Sequence, residues 1–193
     1  MKRAAALSVI CLWPIAASAA EYTSVYTTFD LDTCKVIEKG DDPLYGGTWA
    51  CKGMKGIDIL QAVDDDRTFV AFGGQAKTHC AFQKTFFSFN TALSPVEWRL
   101  KDGVPFAAIE RWSVMIDENG KSITWLVVNA LKKNDSCHAH YVAGSYPNAN
   151  EHVRRAADDL AEDFNCENDA PTVDSKTGPP PIDILACKDM STD

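Results

Sequence analysis

Hydrophobic and polar positions alternate most regularly over residues 96–131, where three β-rich runs are separated by Asp102-Gly103 and Asn119-Gly120. Both dipeptides favour tight hairpins, because Gly, Asn and Asp tolerate the positive φ that such turns need. A two-residue Asn119-Gly120 loop sets Glu118 against Lys121, Ile116 against Ile123, Val114 against Trp125 and Trp112 against Val127. The first turn has two readings. A two-residue Asp102-Gly103 loop brings Glu97 and Arg99 onto the apolar face, whereas a three-residue Lys101-Asp102-Gly103 loop brings Val96, Trp98 and Leu100 there. A slip of one residue exchanges every side chain between faces, so burial selects the three-residue loop. One face then gathers Trp98, Trp112 and Trp125, interrupted by Glu110 and Asn129, which this register places opposite each other.

The pattern changes to a helical period at residues 148–164. Asn148 is placed to cap, with Glu151 three residues on as in a capping box. Val153, Ala156, Ala157, Leu160, Ala161 and Phe164 form one apolar stripe, which the tryptophan face is expected to receive. Arg154–Asp158 and Arg155–Asp159 have the spacing of ion pairs along the wet side. Residues 21–29, 31–38, 48–51, 57–63 and 68–72 read as strands, and residues 77–93 fit either a helix or a strand. Residues 137–143 add a fourth strand to the meander, with His138 and His140 together on the side away from the tryptophans. The expected fold is α+β: a mainly antiparallel sheet of six to eight strands with one C-terminal helix packed on its tryptophan face. Residues 21–166 form the domain, and residues 167–193 a polar, proline-rich, extended tail.

Composition adds a compartment. Met1-Lys2-Arg3, an apolar run to Ile15 and Ala17-Ser18-Ala19-Ala20 read as a signal peptide over residues 1–20, cut after Ala19 or Ala20. The protein is therefore expected in the periplasm or secreted. Losing Lys2 and Arg3 with the leader takes the formal net charge from −8 to −10. An acidic surface repels nucleic acid and anionic membranes and suits cationic partners. Six cysteines follow the leader, an even number that implies disulfides in an exported chain. Cys34 and Cys51 lie on strands expected to be neighbours, and a Cys137–Cys166 bridge pins the helix end. Cys80 and Cys187 are left over, and Cys187 ties the tail back.

Trp49-Ala50-Cys51-Lys52-Gly53, the run from Val96-Glu97-Trp98 to Pro105-Phe106-Ala107, and Asn148-Ala149-Asn150 leading to Phe164-Asn165-Cys166 resemble an uncharacterised family of small exported bacterial proteins. The likeness covers most of the mature chain and implies no particular activity. Cys80 and Cys187 are not part of that family's pattern, which favours pairing them with each other.

The candidate chemistry is sparse. His138 and His140, two apart on a strand, could be metal ligands with His79 or a carboxylate completing the set. Glu110 within an apolar row is either satisfied by Asn129 or a general acid of raised pKa. Asp64-Asp65-Asp66 lacks the ligand spacing of a calcium loop, and Asn134-Asp135-Ser136 matches a glycosylation acceptor incidentally. No nucleophile elbow, zinc-protease motif or phosphate-binding glycine loop is present, and no cofactor is implied. The expected function is a non-enzymatic exported binding protein, an inhibitor or sequestering partner of a cationic protein such as a lysozyme. The alternative is a small periplasmic metal-binding protein or hydrolase using His138, His140 and Glu110.

Overall fold

Three hairpins of the computed structural model, which describes residues 20–40 and 46–190, turn on pairs of left-handed residues: Lys55-Gly56, Asp65-Asp66 and Asp102-Gly103. The expected signal peptide, Ala20 apart, and most of the loop after Gly40 lie outside the described residues. The elements are β1 (Tyr22–Thr27), β2 (Lys35–Lys39), β3 (Gly47–Met54), β4 (Ile57–Asp64), β5 (Arg67–Phe72), β6 (Asn90–Lys101), β7 (Val104–Met115), β8 (Ser122–Leu131), β9 (Ser136–Ala143), α1 (Ala149–Leu160) and β10 (Thr172–Asp174). The strands make two sheets, ordered β1-β6-β7-β8-β9-β10 and β2-β3-β4-β5. Every strand pair is antiparallel except β9–β10. The fold is thus α+β and mainly antiparallel, with two sheets in place of the single one expected. The stretch 77–93 is divided: short 3-10 turns at Ala76–Thr78 and Cys80–Gln83 come first, and residues 90–93 already belong to β6.

Both turns of the meander differ from the expected ones, and both preserve the face. Lys101 pairs with Val104, so Asp102-Gly103 is the whole loop, the option that burial argued against. The register then shifts between Arg99 and Leu100, where Arg99 faces Ala107 and Leu100 faces Pro105. That bulge at Phe106 returns Trp98 and Leu100 to the side of Trp112, which is the work the longer loop was expected to do. At the other end Ile116 N donates to Lys121 O at 2.8 Å, and Trp112 faces Trp125. Residues 117–120 therefore form a four-residue loop. Asp117 Oδ1 holds it by accepting from the backbone of Asn119 and Lys121, each at 3.0 Å. The register moves by two residues, so no side chain changes face.

The helix lies on the other side of the sheet from the tryptophans. Trp98, Trp112 and Trp125 pack against Ile59, Val70 and Phe72 of the second sheet, whereas Val153, Ala157 and Ala161 of the helical segment pack against Ala107, Ile109, Leu126 and Val128. Size explains the choice. Facing sheets stand about 10 Å apart, a gap that indoles fill, while the short side chains of the helix stripe let it lie directly on aliphatic residues. The central strands are apolar on both faces, and only one of those faces was assigned from sequence.

Local details of α1 also shift. It ends at Leu160 rather than Phe164, and Asn148 is left-handed and makes no side-chain cap. Arg154 and Asp158 pair across to the sheet instead of along the helix. Asp158 grips the buried Arg99 through two hydrogen bonds of 2.9 and 2.6 Å, and Arg154 reaches Glu97 at 2.6 Å. Disulfides join Cys34 to Cys51, Cys80 to Cys187 and Cys137 to Cys166. The C-terminal segment does more than run along the surface: Ile182 is buried in the tryptophan core, and residues 172–174 close the sheet edge as β10. Among the described residues no helix is long and apolar enough to cross a membrane.

Candidate metal centre

β10 pairs in parallel with β9, placing Thr172 opposite His140 and Asp174 opposite Val142. The Cys137–Cys166 bridge anchors the segment that leads into it. α1 starts nearby and carries His152 in its first turn. Three elements distant in sequence therefore bring His140, His152 and Asp174 together, with their ligand atoms all within 4.8 Å of one another. Among the described residues this is the only such group of three or more histidine, cysteine and carboxylate side chains.

The carboxylate is shared. Asp174 Oδ2 stands 2.6 Å from His152 Nε2 and 3.1 Å from His140 Nε2. His140 is 3 % exposed, and Asp174 is the polar group its buried Nε2 approaches. Its Nδ1 lies 2.6 Å from Thr172 Oγ1. In the tautomer whose Nδ1–H donates to that hydroxyl, Nε2 keeps the lone pair that a metal would take, and Thr172 is an outer partner of the kind that orients metal-binding imidazoles. Burial lowers the pKa of His140 more than Asp174 raises it, so the ring is held neutral, the form that ligates. The hydrogen bond from His152 lowers the pKa of Asp174. Tyr146 braces His152, with ring centroids 4.7 Å apart. The cluster opens into a groove of about 520 Å³, also lined by Arg155, Asp159 and Leu160. Ligand atoms around one zinc-like ion at about 2.1 Å stand roughly 3–3.5 Å apart, against separations of 2.6 and 3.1 Å to Asp174 and at most 4.8 Å within this cluster.

The residues singled out from sequence do not assemble. The register slips between Val128 and Asn129: His140 pairs with Val128 and His138 with Asn129, leaving Ala139 as the extra residue. The bulge sends the two histidines to opposite faces, where an even strand would have kept them together. His138 is buried with Tyr141, its Nδ1 2.7 Å from the phenol oxygen, and burial reinforced by the Lys84 charge pushes it down to about 3. His79 sits 3.1 Å from Ser136 Oγ and is not part of the His140 cluster. Glu110 is 1 % exposed on the tryptophan side and pairs in register with Val127, while Asn129 pairs with Ala108. The expected partnership still forms diagonally, with Asn129 Nδ2 donating to Glu110 Oε2 at 3.0 Å. Burial pushes the Glu110 carboxyl up to about 8 against the pull of that bond, so it is mostly protonated at neutral pH. Asp65 and Asp66 form a tight turn, with Asp65 3.5 Å from Arg67.

His152 and Asp174 were missed because nothing in sequence ties residues 140, 152 and 174 together. The one usable signal was a Thr-Val-Asp run inside an otherwise proline-rich segment. Comparisons with protein-family models, curated proteins and solved structures find no match for this chain.

Proposed function

We propose that the protein is an exported binding protein for a divalent transition metal, held by His140, His152 and Asp174. The observation that carries this reading is the convergence of two imidazole Nε2 atoms, the buried one of His140 and that of His152, on one carboxylate oxygen of Asp174, with all three ligand atoms within 4.8 Å of one another. Two imidazoles and one carboxylate suit Zn²⁺ or Cu²⁺ better than Mg²⁺ or Ca²⁺, which prefer all-oxygen shells. Three protein ligands leave further positions facing the groove for water or a bound molecule. The leader and the three disulfides support an oxidising compartment. A hydrolase built on His138, His140 and Glu110 lacks support, since these side chains do not meet.

The test is calorimetric titration and thermal unfolding with Zn²⁺ and Cu²⁺. Free metal at about 100 times Kd should stabilise the fold by about 2.7 kcal/mol. His152→Ala and Asp174→Asn should abolish that gain, and His138→Ala should retain it. Acid should release the metal as protons compete for the imidazoles. No binding of either ion, or binding indifferent to His152→Ala and Asp174→Asn, would overturn the proposal.

A further inference from the structure

The tryptophan face runs beyond the sheet that covers it. Trp112, Val114 and Trp125 are fully buried, yet Ile116 and Ile123, on the same face toward the hairpin tip, are 45 % and 37 % exposed. The chain before β6 brings two more aromatic rings to this end. Phe86 turns inward beside Trp112, and Phe87 and Phe89 stay 66 % and 47 % exposed. Their backbone is not loose. Phe87 N donates to Pro181 O at 2.8 Å, and Met115 N donates to Phe89 O at 2.9 Å. A held aromatic pair beside exposed isoleucines is an apolar surface without an internal use, the usual mark of an interaction site.

Charge selects the occupant. Phe87, Phe89 and Ile116 line a shallow groove of about 330 Å³ whose rim carries Asp117 and Glu118. A second groove shares Phe89 and Met115 with the first and adds Asp66. The nearby cations, Lys121 and Arg67, are outnumbered, and Arg67 already faces Asp65 at 3.5 Å. The chain as a whole carries −8. A second copy seated here would set acidic rim against acidic rim, and an anionic membrane would be repelled likewise. We propose that the apolar groove of Phe87, Phe89 and Ile116, with its Asp66, Asp117 and Glu118 rim, docks a cationic amphipathic segment of another protein. Apolar side chains of that segment cover the phenylalanines, and flanking Lys or Arg residues meet the carboxylates. This surface shares no residue with the metal groove and stands or falls independently of it.

The probe is a synthetic amphipathic peptide of leucine and lysine, compared by fluorescence anisotropy with the same peptide carrying glutamate for lysine, on the full mature chain. The lysine peptide should bind and the glutamate peptide should not. Affinity should drop about tenfold or more from about 50 to about 300 mM salt, as attraction across charged rims is screened. Phe87→Ser with Phe89→Ser should weaken binding at least about tenfold, and Glu118→Lys with Asp66→Asn should do so without touching the aromatic floor. Glu167→Lys with Asp163→Asn, the same charge change at exposed positions just past the helix, should leave it unchanged. Unfolding curves confirm that each variant is folded. No binding of the lysine peptide, equal binding of both peptides, or equal losses from the patch and helix-side variants would overturn the proposal. So would a dimer of the wild-type chain that Phe87→Ser dissociates, which would make a second copy the occupant.

Discussion

The two faces of the six-stranded sheet carry ionisable groups under opposite conditions. On the tryptophan side Glu110, Asn129 and His138 are all buried, at 1 % exposure or less. On the helix side His140, His152 and Asp174 gather at the sheet edge, where β10 and α1 leave a groove between them. Two histidines separated by a single residue fall on either side of this divide because that residue, Ala139, bulges. Burial alone makes an unusual pKa, as Glu110 shows. Burial at an opening, with a second ligand from another element, makes a site.

The largest expected effect that tests this contrast is on packing. Trp112→Ala should cost about 4 kcal/mol in denaturant unfolding, since the sandwich cannot close over the void, while Val153→Ala under the helix should cost about 1–2 kcal/mol. Similar losses would mean that the faces are equally filled. Next, Asp158→Ala strands the buried Arg99 guanidinium and should cost about 3 kcal/mol, although Arg99 retains its bond to Ser24 Oγ at 2.6 Å. A loss under about 1 kcal/mol would show that solvent reaches Arg99 readily and that the helix is held by its alanine stripe instead.

The most gradual effect is the pH dependence of Glu110. Its folded pKa, about 8, lies above the ordinary 4.5, so between those values the unfolded chain ionises and the folded one does not. Stability from this group is therefore complete below pH 4.5 and lost as pH rises toward 8, at up to about 1.4 kcal/mol per unit. Glu110→Gln should flatten that slope and be more stable than the parent near pH 8, measured by urea unfolding across the window. An unchanged slope would place the carboxyl in contact with water.

Much of the architecture was legible in the chain. Asp102-Gly103 and Asn119-Gly120 mark the hairpin turns, period-two alternation puts three indoles on one face, and the stripe from Val153 to Ala161 makes the helix. These are local properties: turn residues and side-chain period act within a few positions. The sequence by itself determined an α+β, mainly antiparallel protein with cysteines enough for three bridges. Only the tertiary structure decided which face the helix covers, because both faces of the central strands are apolar and the choice rests on gap width. It alone decided that Phe106 and Ala139 bulge, a one-residue change in pairing that no side-chain pattern specifies. For the same reason it alone brought His152 and Asp174 to His140, since a site built from a strand, a helix and a returning edge strand exists only once all three have packed.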